Sequence, residues 1–173
     1  MSLVNSAGAT TFTMPNDVDV VATRVFDAPR HLIFDAWTKP EHVPHWMTGP
    51  EGWTMPVCEI DLRVGGQWHF VWRRANGTEI GLAGTYLDVL PPERLVATES
   101  WGADWPETIN TVVLTESEGR TLMTMTVSYP SKADRERALA TGGFSDLEPT
   151  YVRLDAYARR VMSGMTLPPD ALT

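Results

Sequence analysis

The sequence predicts an α+β fold: a curved antiparallel sheet of about seven strands wrapped round a long C-terminal helix, with two short helices after the first strand. Three observations predict it. From position 53 onward apolar residues recur with period two for about eighty residues, interrupted by Gly, Pro and Asn turn signals. The clearest amphipathic stretch comes last, with Leu147, Tyr151, Leu154, Ala158 and Val161 spaced three or four residues apart. A sheet with one buried face needs a cover, and that final helix is the one long enough to supply it. A cleft is left wherever the helix does not touch the concave face.

Residues 17–27 alternate as a strand, with Val18, Val20, Ala22, Arg24 and Phe26 on one parity and Asp19, Val21, Thr23 and Val25 on the other. Both parities carry apolar side chains, so the inward face stays open at this stage. Asp27-Ala28-Pro29 reads as a helix start, with Asp27 or Ala28 at the cap and Pro29 in the first turn. Leu32, Ile33, Ala36 and Trp37 share one helical face, Pro40 stops the helix, and a second short one follows over 41–46. Strands are expected over 53–62, 67–74, 78–90, 95–101, 107–115 and 122–129. Asn76-Gly77 calls for a type I′ hairpin, and Gly81 and Gly84 mark a bulge or bend. Ser131-Lys132-Ala133-Asp134 has the form of a capping box with Asp in place of Glu, and Gly142-Gly143 supplies a C-terminal stop. Pro149 confines the regular part of the last helix to the residues from about Thr150. The expected division is a flexible leader over 1–16, a single domain over 17–163 and a loose tail over 164–173.

The 173 residues suffice for one core without disulfides or a structural metal. A lone Cys58 cannot form an intramolecular disulfide, so a reducing, cytoplasmic setting is expected. The net charge of −8, with only 14 Lys and Arg, argues against a nucleic-acid partner. Lys132, Arg135 and Arg137, interleaved with Asp134 and Glu136, read as a solvated helix face. No apolar run is long enough for a membrane span, and the first ten residues lack a signal peptide's basic and apolar regions. Seven tryptophans imply either a heavily aromatic core or an aromatic-lined cavity.

The strand 67–74 places Trp68, Phe70 and Trp72 on one face, which is expected to be concave. Matching parity brings Ile80, Leu82, Gly84 and Tyr86, then Asn110, Val112 and Leu114, then Met123, Met125, Val127 and Tyr129 to the same side. Trp101, Leu147 and Tyr151 complete the candidate cavity lining. The strand 95–101 opposes Ala97, Glu99 and Trp101 to Val96, Thr98 and Ser100, and its orientation is left open. Such a wall suits a flat or greasy small molecule, or else simply packs as core; an inward Asn110 or Tyr86 favours a pocket.

His42 and His45, with Glu41 and His31 nearby, are interrupted by Pro44 and fall short of a zinc-type ligand set, so no metal or other cofactor is expected. Hydrolase and phosphate-loop motifs are lacking, and Cys58 reads as a buried, inert thiol. Acid–base chemistry is left to a carboxylate such as Glu59 or Glu99 facing the cavity, with its pKa raised.

Arg24-Val25-Phe26-Asp27-Ala28-Pro29, Ala36-Trp37-Thr38-Lys39-Pro40-Glu41-His42, Trp46, Gly49-Pro50-Glu51-Gly52, Asp61-Leu62-Arg63-Val64-Gly65-Gly66 and the run from Gly84 to Leu95 form an ordered set. Together they resemble the bacterial branch of the activator of heat shock protein 90 ATPase homologue family, within the START-like (SRPBCC) superfamily. The resemblance runs from about residue 17 to 162. It implies the helix-grip fold with a ligand cavity between sheet and last helix, a possible homodimer, and a chaperone as an alternative partner. Members often carry Gly-Trp at the start of the last helix, where this chain has Asp146-Leu147, which reshapes one end of the implied cavity. The expected function is binding of a small hydrophobic or aromatic molecule. The alternatives are a polyketide cyclase- or hydratase-like enzyme using a cavity carboxylate or tyrosine, and a co-chaperone-like interaction module.

Overall fold

The computed structural model of the protein describes residues 9–164. Its strands are β1 (Thr11–Thr13), β2 (Asp19–Phe26), β3 (Trp53–Ile60), β4 (Gln67–Arg74), β5 (Glu79–Leu90), β6 (Arg94–Glu99), β7 (Thr108–Ser117) and β8 (Arg120–Ser128). They form one antiparallel sheet in the order β1-β2-β8-β7-β6-β5-β4-β3. From β3 to β8 the chain runs as a meander, and β2 closes back onto β8. Three α-helices accompany the sheet: α1 (Arg30–Thr38), α2 (Lys132–Ala140) and α3 (Leu147–Met162).

The sheet has eight strands rather than seven, and the extra one comes from the leader. Thr11, Phe12 and Thr13 pair with Thr23, Ala22 and Val21. The β-favouring Thr-Phe-Thr triplet is anchored from outside the sheet. Phe12 packs edge-on against Phe144, with ring centroids 6.2 Å apart, and the Thr10 N–H donates to Glu148 on α3 at 3.0 Å. The first eight residues and the expected tail beyond residue 164 lie outside the described residues.

Several local expectations are corrected. The second short helix contracts to a single 3-10 turn, Val43–His45. Pro29 occupies the N-cap of α1 itself, with no side-chain cap from Asp27. The last helix starts at Leu147, because Pro149 falls in a first turn whose N–H groups have no helical partner to lose. The Asn76-Gly77 hairpin is not type I′: only Gly77 has a positive φ, and its N–H donates to the Arg74 carbonyl at 2.9 Å. The type I′ geometry occurs instead at Glu118-Gly119, both left-handed, between the paired Ser117 and Arg120. The capping of α2 is as expected, with Ser131 Oγ accepting from the Asp134 N–H at 3.1 Å. Arg135 of that helix is not solvated: it is buried, and its guanidinium donates to the Asn16 carbonyl. Arg137 stacks 4.2 Å over the Trp105 ring and donates to the Asp104 carbonyl, pinning the β6–β7 loop to α2.

The core lies between the inner face of the sheet and the α1–α3 pair. On β2 the inward parity is Val20, Ala22, Arg24 and Phe26. Tyr151 of α3 stands edge-on to Phe26 at 6.2 Å, and its hydroxyl donates to Met125 Sδ at 3.0 Å. Arg153 donates to the Trp46 carbonyl, and Asp155 accepts from the Asp27 N–H at 3.2 Å and pairs with Arg159. These contacts fix α3 across the β2–β8 end of the inner face.

Candidate functional site

The inner face of β4, β5, β6 and β7 is the part of the sheet that carries both rings and polar groups. Trp68, Phe70 and Trp72 are buried along β4. Neighbouring rings meet obliquely, Trp68 to Phe70 at 4.9 Å and Phe70 to Trp72 edge-on at 6.1 Å. Leu82 and Tyr86 continue the wall on β5, Val112 on β7, and Met123 and Met125 on β8. Ile80, of the same parity, is exposed near the hairpin end of β5.

The strand whose orientation was open is now placed. Leu95 and Ala97 face inward, and Glu99 shares their side. The strand ends at Glu99, followed by an isolated bridge between Ser100 and Ala83. Because Ala83 faces Ser100 and Tyr86 faces Ala97, Gly84 lies opposite Glu99. Gly84 also pairs with Trp68, and Glu99 with Thr108. One row across the concave face therefore reads Trp68, Gly84, Glu99, Thr108. Trp68 and Glu99 stand two strand spacings apart, about 10 Å between backbones, with no side chain between them.

Gly84 is required there for space. A Cβ at this position would run into the Thr98 carbonyl oxygen and come within 2.6 Å of Trp68 Nε1. The indole thus leans over the glycine towards β6. Its N–H is sealed from water and has no hydrogen-bond partner. Buried donors in native structures are nearly always paired, and among the described residues the exceptions are this one and the Nε atoms of Arg24 and Arg135.

Glu99 is the acidic group on the same row. Its carboxylate accepts from Trp101 Nε1 through Oε1 and from Asn110 Nδ2 through Oε2, both at 2.7 Å. Thr108 Oγ1 donates to Asn110 Oδ1 at 3.2 Å and fixes the amide's orientation. Burial raises the Glu99 pKa above the ordinary carboxylate value, with the two hydrogen bonds opposing it. Burial, with the Glu99 charge second, pushes the Tyr129 hydroxyl up to about 12 and raises that of Tyr151. Burial also raises Tyr86, while Cys58 beyond it is pushed up to about 11, as an inert thiol should be. Glu59, the other carboxylate considered, points outward beside His69 and does not join this group.

Trp101 belongs to the rim rather than the wall. Its ring is half exposed and stacks on Trp72, with centroids 6.4 Å apart and planes 7° from parallel. Trp72 is itself held by a bond from its Nε1 to the Met47 carbonyl at 2.7 Å. Leu147 is half-buried at the start of α3, and Tyr151 is buried further along it. The expected lining residues other than Trp101, Leu147 and Met123 are thus gathered on one inner surface, with Tyr151 facing it from α3, while Met123 shares their face but is fully sealed.

That surface is not fully closed. Trp68, Phe70, Trp72, Leu82, Ala97, Val112, Met125 and Val127 each keep 6–9% of their surface reachable. Phe26, Ile33, Trp46, Met123 and Leu154 at the other end keep none. Two hollows lie elsewhere. An open one of about 560 Å³ sits against Glu59, Asp61, Arg63 and Gln67, and a crevice of about 110 Å³ lies between α1 and α3. In the crevice His42 Nδ1 is 2.5 Å from the Tyr157 hydroxyl, and His45 stacks on that ring at 5.2 Å. No group of three or more metal-ligating side chains converges among the described residues.

Arg24 was not singled out from sequence. It is buried on the inward parity of β2 and donates to Glu148 Oε1 at 2.9 Å and Thr10 Oγ1 at 3.2 Å. The signal was available: Arg24 shares parity with Phe26, and fixing that parity as inward places the guanidinium inside.

A curved antiparallel sheet gripping a C-terminal helix defines the helix-grip, START-like class. Residues 27–159 match the family described as Activator of Hsp90 ATPase homolog 1-like protein, and the chain belongs to that family. Among solved structures, a protein from Rhodobacter sphaeroides is similar, with TM-score 0.80, 26% identity and coverage of 91% of this chain and 100% of its own. A protein from Nitrosomonas europaea shares the fold with TM-score 0.76 at 21% identity, covering 87% of this chain and 99% of its own. An AHSA1-like protein from Aeromonas hydrophila does so with TM-score 0.64 at 17% identity, covering 86% and 96%. No curated protein matches the chain. Fold and family are those of a generic ligand-binding or co-chaperone-like module. No helix among the described residues is long and apolar enough to cross a membrane.

Proposed function

We propose that the protein binds a small, flat, largely apolar molecule against the concave wall of β4–β7, beside α3. The observation that carries this reading is the Trp68 indole N–H, buried without an acceptor on a wall whose neighbours remain reachable. That unmade bond costs about 1–3 kcal/mol. The rings and Met125 supply polarizable, shape-tolerant contact, and the inward Asn110 and Glu99 supply orientation.

The enzyme alternative draws on Glu99, which faces inward with a raised pKa. It ranks second because the group lacks a matching acid or base. Asn110 does not titrate, and Tyr129 and Tyr151 are both held protonated by burial.

A panel of two- and three-ring aromatic compounds, screened by thermal shift and native mass spectrometry, tests the binding reading. Binders should raise Tm by several degrees in the wild type. They should lose that effect in Ala97→Phe, where a ring on an inward, small position of β6 fills the space. If no compound shifts Tm or forms a complex, the reading fails.

A further inference from the structure

Helix α2 stands outside the core that fixes α1 and α3. Five of its nine residues are charged, and the one it buries is Arg135. Tyr129 before it and Phe144 after it pack against the core, whereas Leu139, its one large apolar side chain, does not. A helix this short takes its stability from an apolar face buried against its neighbours. α2 has no such face, so its position depends on polar contacts.

Two arginines supply them, each to a different loop. Arg135 donates to the Asn16 carbonyl between β1 and β2, and Arg137 stacks on Trp105 and donates to the Asp104 carbonyl between β6 and β7. Lys132 adds an exposed pair with Asp17 at 3.6 Å, of the kind that water screens. The Arg135 Nε is sealed without an acceptor, a cost that is relieved when the group returns to water.

The two pinned loops flank one end of the inner face. The β6–β7 loop leaves β6 at Glu99 and enters β7 at Thr108, and Asn16 leads into β2, whose Asp19 pairs with Ser128 beside Tyr129. α2 therefore crosses the end of the wall at which Glu99, Thr108 and Tyr129 stand. Both of its ends can turn. Pro130 and an extended Ser131 precede it, and Gly142-Gly143 follow, with Gly142 left-handed and no atom within 4 Å of where its Cβ would stand.

We propose that α2 is a lid: residues 131–141 swing as one unit about Pro130 and Gly142-Gly143, releasing the Arg135 and Arg137 pins and opening the Glu99 end of the inner wall. Its role as an entrance rests on the ligand-binding reading above; its opening does not.

Amide hydrogen exchange of the whole protein, followed by NMR, tests the opening without a ligand. Amides 136–140 of α2 should be at least about a hundredfold less protected than amides 154–158 of α3, and should agree with one another within about threefold, as a unit that opens together does. Arg137→Ala should lower the α2 protection about tenfold, the scale of the lost stack and hydrogen bond, and leave α3 unchanged. The lid is overturned if α2 is as protected as α3, if its protection rises gradually inward from frayed ends, or if Arg137→Ala leaves it unchanged. Stopped-flow mixing with 2-naphthol, a two-ring member of the panel, tests the entrance. Because residue 137 holds the lid in free and bound protein alike, Arg137→Ala should speed association and dissociation each about tenfold, with Kd held within about twofold. Unchanged rates overturn the entrance and leave the ligand-binding reading standing. If 2-naphthol and the rest of the panel fail to bind, that reading and the entrance fall together, and the exchange result alone upholds or overturns the opening.

Discussion

The two ends of the inner face are built from different materials. Where β2 and β8 meet α1 and α3, Phe26, Ile33, Met123 and Leu154 are sealed, and buried Arg24 pairs with Glu148 through its Nη1 while its Nε has no partner. Where β4–β7 curve away from the helix, three aromatic rings and a carboxylate share the inner face, the rings keep 6–9% of their surface reachable, and the Trp68 N–H is unmatched. Ring content therefore does not measure packing. The sealed end holds rings too, Phe26 edge-on to Tyr151 and Trp37 tilted over Trp46, while the three rings of β4 border the less closed part of the core. Stability is concentrated at one end, which leaves the other free to keep a half-buried acid on its inner face. Such local violations are tolerated where the rest of the domain is consistent.

The largest test of that division uses one substitution at both ends. Leu154 on α3 is fully sealed and Leu82 on β5 borders the opening. Leu154→Ala should cost about 4 kcal/mol of unfolding free energy and Leu82→Ala about 2 kcal/mol, because a sealed site leaves a dry cavity that cannot refill. Urea denaturation of both variants measures the difference. Equal costs would mean that the β4–β7 wall is packed as tightly as the rest, and the contrast would collapse.

The features legible in the sequence were those fixed by local pattern. The amphipathic spacing of α3, the alternation of six meander strands and the Ser131 cap each depend on residues within a turn or two of one another. The orientation of β6 was not legible, since Leu95, Ala97 and Glu99 compete with Val96, Thr98 and Ser100 on nearly equal terms. It is set by pairing with β5, where Gly84 lets the Thr98 carbonyl come close. The choice between Glu59 and Glu99 followed the same register and was hidden with it. Turn type was misplaced for a related reason. Asn-Gly is the stronger signal for a two-residue hairpin, yet the pairing of Arg73 with Glu79 leaves an odd number of residues between, which takes a single left-handed glycine. β1 was missed because three residues carry too little pattern, and its anchors, Phe144 and Glu148, lie more than a hundred positions away.

A medium effect should appear as pH dependence at the open end. The unfolded chain titrates Glu99 near 4.3, and burial holds the folded value higher, against the hydrogen bonds from Trp101 and Asn110. Between those two values the folded protein binds more protons than the unfolded chain, so this group's contribution to stability is lost as pH rises through the folded pKa. Glu99→Gln removes the titration and keeps the network. A flipped Asn110 can accept from the new amide, while its oxygen still accepts from Trp101. The stability of the wild type relative to Glu99→Gln, followed by urea midpoints from pH 4.5 to 8, should therefore decline as pH rises. A difference that stays flat over that range would place the carboxylate in water and remove the polar end of the site.

The smallest effect belongs to the same residue type on the opposite face of the same sheet. Glu59 on β3 is exposed, and His69 Nδ1 stands 3.7 Å from its carboxylate. Exposed pairs of this kind contribute little, because water and ions screen them and two free side chains must be ordered to form them. Glu59→Gln should change unfolding free energy by less than about 0.5 kcal/mol and leave naphthol binding unchanged. A larger stability change, or a loss of binding equal to that of a Glu99 variant, would show that the outer face of β3 communicates with the wall behind it. Glu99 would then no longer be set apart from Glu59 by the face it occupies, and the asymmetry between the two sides of the sheet, on which the placement of the site depends, would have to be given up.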